Sequence, residues 1–445
     1  METLPDDVVV EILVRVTEVA ALFRCTATCR RWRLLIADRS FLRRRWPEGV
    51  SLQSSLLGFF ALQQPREEPT EGSSTATPMP FFTPVPCSPH RLLAIPDQPR
   101  GSRAVVLASH RGLLVVRFVP LDAISMFEKT MIMSVCDPIA GTSRRLPPLK
   151  CSRSFRIEGC TILTGADCRP TKRRGAATPS VYSSFKVFII SYDGRYNLHV
   201  FASNELGWRT YRNWFEPVEY AGRVVPQQIN IVVCQGMAHW LFKYSSDFYT
   251  LSVCAKTTEM SITKLPVTWN HLGFKFSSAL LNVTNDGRLS LLGLYRDCTR
   301  VEIWTHQGDS KSEDGMADCW QHTKTIELIQ PKQSTVGLVQ CVCVSEMSGK
   351  LLVKDNQGCM YIVDLQTGAM ETVTDWFCGI VTMAVPFEMD WPTFFMSRLA
   401  GGRIKRNKLR GAISKIASTF CKPIVVAIIF GLIVMRWDYE ELQES

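Results

Sequence analysis

The feature that most constrains the fold is a stretch of about 300 residues, Leu92 to Pro386, in which short apolar runs alternate with turn residues. No part of this stretch has convincing helical periodicity over a dozen residues, so the pattern predicts β-strands. Hairpin signals such as Asn285–Arg288 and Asp355–Gly358 stand between neighbouring runs. Typical runs are Leu113–Val116, Phe185–Ile190, Ile229–Val233, Leu289–Leu292 and Tyr361–Val363.

A loose repeat runs through the same stretch. Each copy reads as a strand, a tight turn and a second strand, and two segments that begin at Gly236 and Gly349 share one strand template. Repeating four-stranded units of about 40–50 residues predict a β-propeller of six or seven blades. The copies are Val135–Pro148, Leu251–Pro266 and Ile362–Val373.

The N-terminus carries a different pattern, which predicts three short amphipathic helices. Pro5 suits a first helical position, and Asp6 and Asp7 place negative charge where the helix dipole favours it. About forty residues cannot bury a core of this kind alone, so apolar surface is left for another protein or for the next domain. The apolar stripe of the first helix is Val9, Ile12, Leu13 and Val16.

This N-terminal segment resembles the F-box family. The family pattern is a Leu-Pro opening, an acidic residue, an apolar pair, Glu-Ile-Leu, Arg-Cys, and then Cys-Arg/Lys-x-Trp-Arg followed by Leu-Ile. Phe23 stands where Leu is common and Thr28 where Val is common. The matching residues are Leu4, Pro5, Asp7, Val8, Val9, Glu11, Ile12, Leu13, Arg24, Cys25, Cys29, Arg30, Trp32, Arg33, Leu35, Ile36 and Phe41.

The resemblance implies that the segment docks onto the small Skp-type adaptor of a cullin-RING ubiquitin ligase. The alternative is a generic helical cap on a larger domain. The apolar residues expected to divide between the F-box's own packing and the adaptor are Leu4, Pro5, Val9, Ile12, Leu13, Leu22, Cys29, Trp32 and Leu35.

The β-rich stretch resembles the F-box-associated propeller region of plant F-box proteins, particularly the grass expansions. The order of several weak pieces carries this resemblance, among them Asp137–Pro148, Val200–Trp208 and Trp391–Phe395. The expected fold class is α + β multidomain, with a small three-helix F-box followed by an all-β propeller and a C-terminal apolar helix. The expected domains are an F-box (1–46), a linker with a low-complexity Pro/Ser/Thr segment (47–91), a propeller (92–396) and a basic segment with an apolar helix and acidic tail (397–445).

No constellation of residues predicts catalysis, a metal site or a cofactor. The chain lacks a Gly-rich phosphate loop, a His-Glu-x-x-His motif and a Gly-x-Ser-x-Gly elbow. Its sixteen Cys include no Cys-x-x-Cys pair, which favours reduced core thiols. His239 is expected to be a hydrogen-bonded core residue, with lining of the propeller channel as the alternative. The net charge of +10 lies in short runs without interleaved aromatics, so no nucleic-acid partner is expected.

The C-terminus leaves two alternatives open. An apolar run, Ile424–Met435, lies between a basic segment and an acidic tail, an arrangement typical of a membrane anchor with its N-terminal bulk in the cytosol. The run reaches spanning length only when it is counted from residue 416 to residue 435, which includes Lys422 and Pro423. The alternative is a helix packed on the propeller or the F-box.

Together these patterns predict a non-catalytic substrate-recognition subunit of an SCF-type ubiquitin ligase in the cytoplasm or nucleus, with an unknown protein substrate on the propeller. Two other classes stay open: a membrane-tethered interaction scaffold outside a ligase, and a propeller enzyme. Failure to bind the adaptor would favour the scaffold. Carboxylates or histidines converging on the channel mouth would favour the enzyme.

Overall fold

The chain divides into two compact units, one of residues 1–50 with 391–445 and the other of residues 51–390. The structure is a computed structural model. It describes residues 4–47, 55–64, 79–85, 95–121, 130–152, 154–165, 167, 184–215, 231–244, 247–268, 274–284, 286–295, 298–307, 320–329, 338–373 and 380–399.

The described part of the first unit is helical. Asp38 takes an extended conformation that ends the third helix, and its side chain accepts a hydrogen bond from the Ser40 N–H at 2.8 Å, which starts the fourth. The N-terminal segment therefore holds four helices where three were expected. The helices are α1 (Asp6–Val14), α2 (Val19–Thr28), α3 (Arg30–Ala37), α4 (Arg39–Arg45) and α5 (Trp391–Leu399).

Arginines of α4 tie that helix to α1. Arg45 donates to the backbone oxygens of Val16 and Thr17 at 3.0 and 2.8 Å, just beyond the end of α1. Arg44 forms an ion pair with Glu11 on α1. Two members of the basic run Arg43–Arg45 thus hold the helices together.

An aromatic cluster joins α5 to α2. The ring of Phe23 stacks on Phe395, with centroids 4.4 Å apart, and meets Trp391 and Phe394 edge-on at 5.8 and 5.4 Å. Trp46 stacks on Phe395 at 5.6 Å. A propeller boundary at residue 396 was expected, but residues 391–399 belong to the helical unit because these rings pack there.

The described residues of the second unit form six antiparallel sheets, which we number as blades 1–6 in chain order. Six blades agree with the range predicted from the repeat. Blade 1 has the strand order β2-β1-β24, from outside to inside. Its strands are β1 (Leu56–Gln64), β2 (Met79–Pro84) and β24 (Ile380–Glu388).

Blades 2 to 4 each run outwards in chain order from an inner strand. The short strand β7 also pairs with β5 in blade 2. Blade 2 comprises β3 (Ser102–His110), β4 (Leu113–Pro120), β5 (Thr130–Asp137), β6 (Thr142–Arg145) and β7 (Leu149–Lys150); blade 3 β8 (Arg156–Thr164), β9 (Phe185–Tyr192), β10 (Tyr196–Ala202) and β11 (Arg209–Phe215); blade 4 β12 (Val232–Cys234), β13 (Met237–Tyr244), β14 (Asp247–Cys254) and β15 (Met260–Thr268).

Blades 5 and 6 repeat the four-stranded plan. Most neighbouring inner strands contact one another around the ring. Blade 5 comprises β16 (Phe274–Val283), β17 (Leu289–Tyr295), β18 (Arg300–His306) and β19 (Trp320–Glu327); blade 6 β20 (Leu338–Val344), β21 (Lys350–Asp355), β22 (Met360–Asp364) and β23 (Met370–Thr372).

Blade 1 closes the ring by pairing the two ends of the β unit. β24 pairs with β1 in antiparallel register, with Leu56 opposite Glu388 and Ala61 opposite Ala384. The composition of residues 47–91 predicted a linker, and that expectation was wrong for β1 and β2. The apolar run at residues 55–62 is a buried strand rather than a tether, and the remaining residues from 65 to 78 lie outside the described part.

Apolar side chains fill the layers between neighbouring blades. Such layers lie between blades 2 and 3, 3 and 4, 4 and 5, 5 and 6, and 6 and 1. In the last of these, Phe59 of β1 packs in the same cluster as Leu352 of β21. The strands of blades 3 to 6 are apolar on both faces because a neighbouring blade covers each side.

Two prolines explain why blade 1 stops at three strands among the described residues. Val85 donates its N–H to the Leu57 oxygen at 3.2 Å, so odd-numbered residues of β2 point their backbone groups towards β1. Even-numbered positions then face outwards. Pro80 and Pro84 occupy two of them and have no N–H to offer a further strand.

Candidate functional site

The helical unit divides the predicted adaptor-contacting residues into three groups. Val9, Leu13 and Leu22 are buried, which gives them a packing role. Ile12, Trp32 and Leu35 are half-buried, whereas Leu4, Pro5 and Cys29 are exposed. Cys29 also precedes α3, where its sulfur accepts the Trp32 N–H at 3.4 Å.

Three of the large exposed apolar side chains of this unit lie at the start of α1 and on α3; a fourth, Met396, lies on α5. Leu4, Val8 and Leu34 have exposed fractions of 44%, 41% and 53%. Arg31 joins the two elements, since its Nε is 2.6 Å from Asp6 Oδ1 and its Nη2 donates to the Leu4 oxygen. We call Leu4, Pro5, Val8 and Leu34 the α1–α3 patch. Exposed apolar side chains grouped in this way are typical of a protein-interaction surface.

Val8 and Leu34 were not among the predicted contacts. The prediction followed the apolar stripe that begins at Val9, and that stripe faces the core of the unit. The signal that could have found their exposure is their position: Val8 lies next to the buried Val9, and Leu34 lies two positions before the buried Ile36. On a helix, such a neighbour lies off the buried face.

Charged side chains converge at one end of the inner strands of the propeller. Both ring nitrogens of His110, at the end of β3, meet carboxylates: Nδ1 is 3.0 Å from Glu346 and Nε2 is 3.1 Å from Asp167. Arg111 lies 2.5 Å from Asp390 and 3.3 Å from Asp167. We call these five residues the charge cluster; they follow the inner strands of blades 2, 3, 6 and 1.

A tight turn positions the two cations. Arg111 and Gly112 have φ values of 49° and 82°, so they form the two-residue turn between β3 and β4 with both residues in the left-handed region. Glycine is favoured at the second position because of its left-handed φ, and a Cβ atom there would also lie 2.4 Å from the Met389 sulfur.

The pKa values in the cluster follow from burial and pairing. Burial alone would lower the pKa of His110, but the carboxylates of Asp167 and Glu346 offset burial and raise it to about 10. Burial would raise the pKa of Asp167, yet His110 and Arg111 hold it well below the ordinary value. His110 is therefore an imidazolium that donates from both nitrogens at neutral pH.

This convergence is the feature that was expected to favour an enzyme, but its geometry does not provide an open site. Each of the five charged groups is engaged with another member, and the adjoining cavity is only about 30 Å³. A general acid or base needs space for a substrate within hydrogen-bond reach. The cluster instead links turns of four blades.

Two further histidines, His199 and His239, are neutral at pH 7. His239 lies on β13, the second strand of blade 4, and its Nδ1 is 2.7 Å from the Ser252 hydroxyl. It is the hydrogen-bonded residue expected from the sequence and does not lie on an inner strand. Burial lowers the pKa of His239 and of His199 to about 4.

No group of three His, Cys, Asp or Glu among the described residues could hold a metal ion. No described helix is long and apolar enough to cross a membrane. The candidate anchor at residues 416–435 lies outside the described residues.

Comparison with protein families decides the nature of the N-terminal segment. Residues 1–46 match the F-box-like family model. These residues are an F-box-like domain. The match covers the first four helices and ends before the propeller, so α5 is not part of it.

No curated protein matches the chain. Among solved structures, TolB from Acinetobacter baumannii is 9% identical, with 80% of this chain and 73% of TolB covered and a TM-score of 0.34. The Cps50 (Swd1) β-propeller domain from Myceliophteria thermophila is 13% identical, with 62% and 87% covered and a TM-score of 0.31. The Dos1 propeller is 11% identical at a TM-score of 0.29, and the chain spans 59% of its length. The assignment of a propeller that follows the F-box-like domain in the chain rests on the six sheets described above and not on these similarities.

Proposed function

We propose that this protein is a substrate-recognition subunit of an SCF-type cullin-RING ubiquitin ligase. The observation that carries the proposal is an F-box-like domain with exposed apolar side chains, on the same chain as a six-bladed propeller. The F-box-like domain docks onto the Skp-type adaptor, and the propeller holds a protein target. The proposal places the protein where such ligases work, in the cytoplasm or nucleus.

The α1–α3 patch supplies the adaptor contact in this proposal. The buried residues Val9, Leu13 and Leu22 hold the helices together, so the adaptor contact is left to Leu4, Pro5, Val8 and Leu34, with the half-buried residues at the margin. An apolar centre with a polar rim is the usual anatomy of a protein interface. The Arg31–Asp6 ion pair lies beside this centre as part of the rim.

The mechanism requires no bond chemistry from this chain. Attachment to the ligase scaffold raises the effective concentration of a bound target's lysines near the charged ubiquitin carrier. The self-paired charge cluster gives no support to the alternative of a propeller enzyme. The alternative of an interaction scaffold outside a ligase is tested by adaptor binding.

Substitution of Leu34 tests the proposed contact. About half of Leu34 is exposed, and full burial of a Leu side chain contributes roughly 1.5–3 kcal/mol. Loss of that contact together with desolvation of a carboxylate should cost at least about 1.4 kcal/mol. We therefore expect Leu34→Asp to weaken binding of the full-length protein to a purified Skp-type adaptor at least about tenfold in a biosensor assay.

Leu206→Asp is the matched control. Leu206 is 99% exposed on the propeller, so the same substitution there should leave adaptor affinity unchanged. Equal affinity of the two variants would contradict the assignment of the α1–α3 patch. Absence of adaptor binding by the unsubstituted protein would reject the ligase proposal and favour the scaffold.

A further inference from the structure

The F-box-like domain does not bury its aromatic core with residues 1–46 alone. Phe23 and Trp46 belong to this segment, and the described rings that stack on them come from α5. Within α5, Trp391, Phe394 and Phe395 are 2%, 2% and 0% exposed. Each aromatic side chain removes roughly 150–250 Å² from water, which is a large share of the core of so small a unit.

The side-chain chemistry of the two partners matches across this contact. Phe23 is the position at which the F-box resemblance departs from the common Leu, and its ring faces three aromatic residues of α5. Aromatic rings at these distances favour stacked and edge-on arrangements, and such pairs contribute more than the burial of their area alone. The same ring contacts therefore explain both the presence of Phe instead of Leu at residue 23 and the aromatic residues of α5.

We infer that α5 is a fifth helix of the F-box-like domain, which makes adaptor docking depend on residues 391–399. The domain is then discontinuous, with its first four helices before the propeller and its last helix after β24. A chain that ends within the propeller lacks α5, so the domain is completed only when the whole propeller has been synthesised. The adaptor consequence rests on the proposed function, whereas the structural assignment does not.

The dependence of adaptor docking on α5 acts through the folded fraction of the four N-terminal helices. If removal of the α5 contacts leaves the four N-terminal helices folded for only a fraction of the time, the apparent adaptor affinity falls to that fraction of its full value. Phe395 is the residue to change, since it is fully buried and contacts both Phe23 and Trp46. Met396 lies next to it on the same helix and is 37% exposed, which makes it a matched control.

The test compares four full-length proteins: unsubstituted, Phe395→Ala, Phe395→Leu and Met396→Ala. Amide hydrogen exchange is measured in α2 and α4, and adaptor affinity is measured in parallel. We expect Phe395→Ala to lower exchange protection in α2 and α4 about 100-fold or more, as for loss of a buried Phe side chain, with a matching loss of affinity. Phe395→Leu should recover part of both, and Met396→Ala should change neither.

Exchange in the strands of blade 5 reports whether the propeller stays folded. If Phe395→Ala also raises exchange in those strands, the protection of α2 and α4 in Phe395→Leu, relative to that in Met396→Ala, tests the assignment of α5 instead. Unchanged protection of α2 and α4 in Phe395→Ala would overturn the assignment of α5. Lost protection with full adaptor affinity would overturn the dependence of docking on α5. Failure of the unsubstituted protein to bind the adaptor would reject the proposed function, while the exchange data would still decide the place of α5.

Discussion

The charge cluster makes the stability of the propeller depend on pH, and His110→Gln is the substitution that isolates this dependence. His110 is 7% exposed and lies between the carboxylates of Asp167 and Glu346. Arg111 and Asp390 complete its charged surroundings, and the buried Glu388 lies beyond Glu346. Glutamine keeps a polar side chain of similar length but cannot carry the positive charge.

The direction of the effect follows from the raised pKa of His110. Since the value is 6.5 ordinarily and about 10 in the folded protein, the imidazolium stabilises the fold fully below pH 6.5. This contribution falls as the pH rises and is lost through pH 10. A pKa difference of this size corresponds to roughly 5 kcal/mol, and breaking a buried ion pair by removing one partner costs about 3–5 kcal/mol.

Asp167 sets the lower limit of the pH range in which the cluster stabilises the propeller. Its pKa is lowered from 3.8, so its contribution is present above pH 3.8 and is lost as the pH falls below that value. The cluster therefore stabilises most between about pH 4 and pH 6.5. We expect the unfolding temperature of His110→Gln to lie roughly 5–10 °C below that of the unsubstituted protein at pH 6, and close to it at pH 10.

Thermal unfolding followed by far-ultraviolet circular dichroism from pH 5 to pH 10 measures this difference. The comparison at each pH cancels the titration of groups that do not interact with His110. His322→Gln serves as a control because His322 is exposed on β19, and it should shift the unfolding temperature little at any pH. A temperature difference for His110→Gln that is the same at pH 6 and pH 10 would refute the charged role of His110.

Two further predictions concern the loss of stability at acid pH and the C-terminus. Burial lowers the pKa of His199 and His239 to about 4, so stability is lost as the pH falls from 6.5 to 4. In the same melting assay, His199→Gln should reduce the fall of the unfolding temperature over this pH range. An unchanged fall of the unfolding temperature would show that His199 is not neutral in the folded state. If residues 416–435 are an anchor, a fusion of residues 398–445 to a fluorescent protein should fractionate with membranes and resist carbonate extraction. A soluble fusion would favour the packed helix.

Local patterns in the sequence correctly predicted helices at the N-terminus and strands in the stretch that forms blades 2 to 6. The period of apolar residues separated the N-terminal helices from the strands, and the turn residues marked hairpins. The spacing of unlike residues between Leu4 and Phe41 was sufficient to indicate the F-box-like domain that the family match covers. The repeat length bounded the number of blades to six or seven, and six are present.

Local patterns failed where an element's partner is far away in the chain. Residues 47–91 are rich in Pro, Ser and Thr, which hid the strands β1 and β2. β1 is a strand of the propeller because β24, more than 300 residues later, pairs with it and closes the ring. Composition describes a segment's own preference and carries no information about such a partner.

The sequence by itself thus determined that the N-terminus is helical, that the long central stretch is made of strands, and which N-terminal residues can form a core, because those properties depend on near neighbours. Only the tertiary structure decided how residues distant in the chain combine. It placed Phe23 against Phe395, and it brought His110, Asp167 and Glu346 together from three blades. The physical reason is that burial and pairing energies arise from contacts in space, and ring closure sets those contacts independently of separation along the chain.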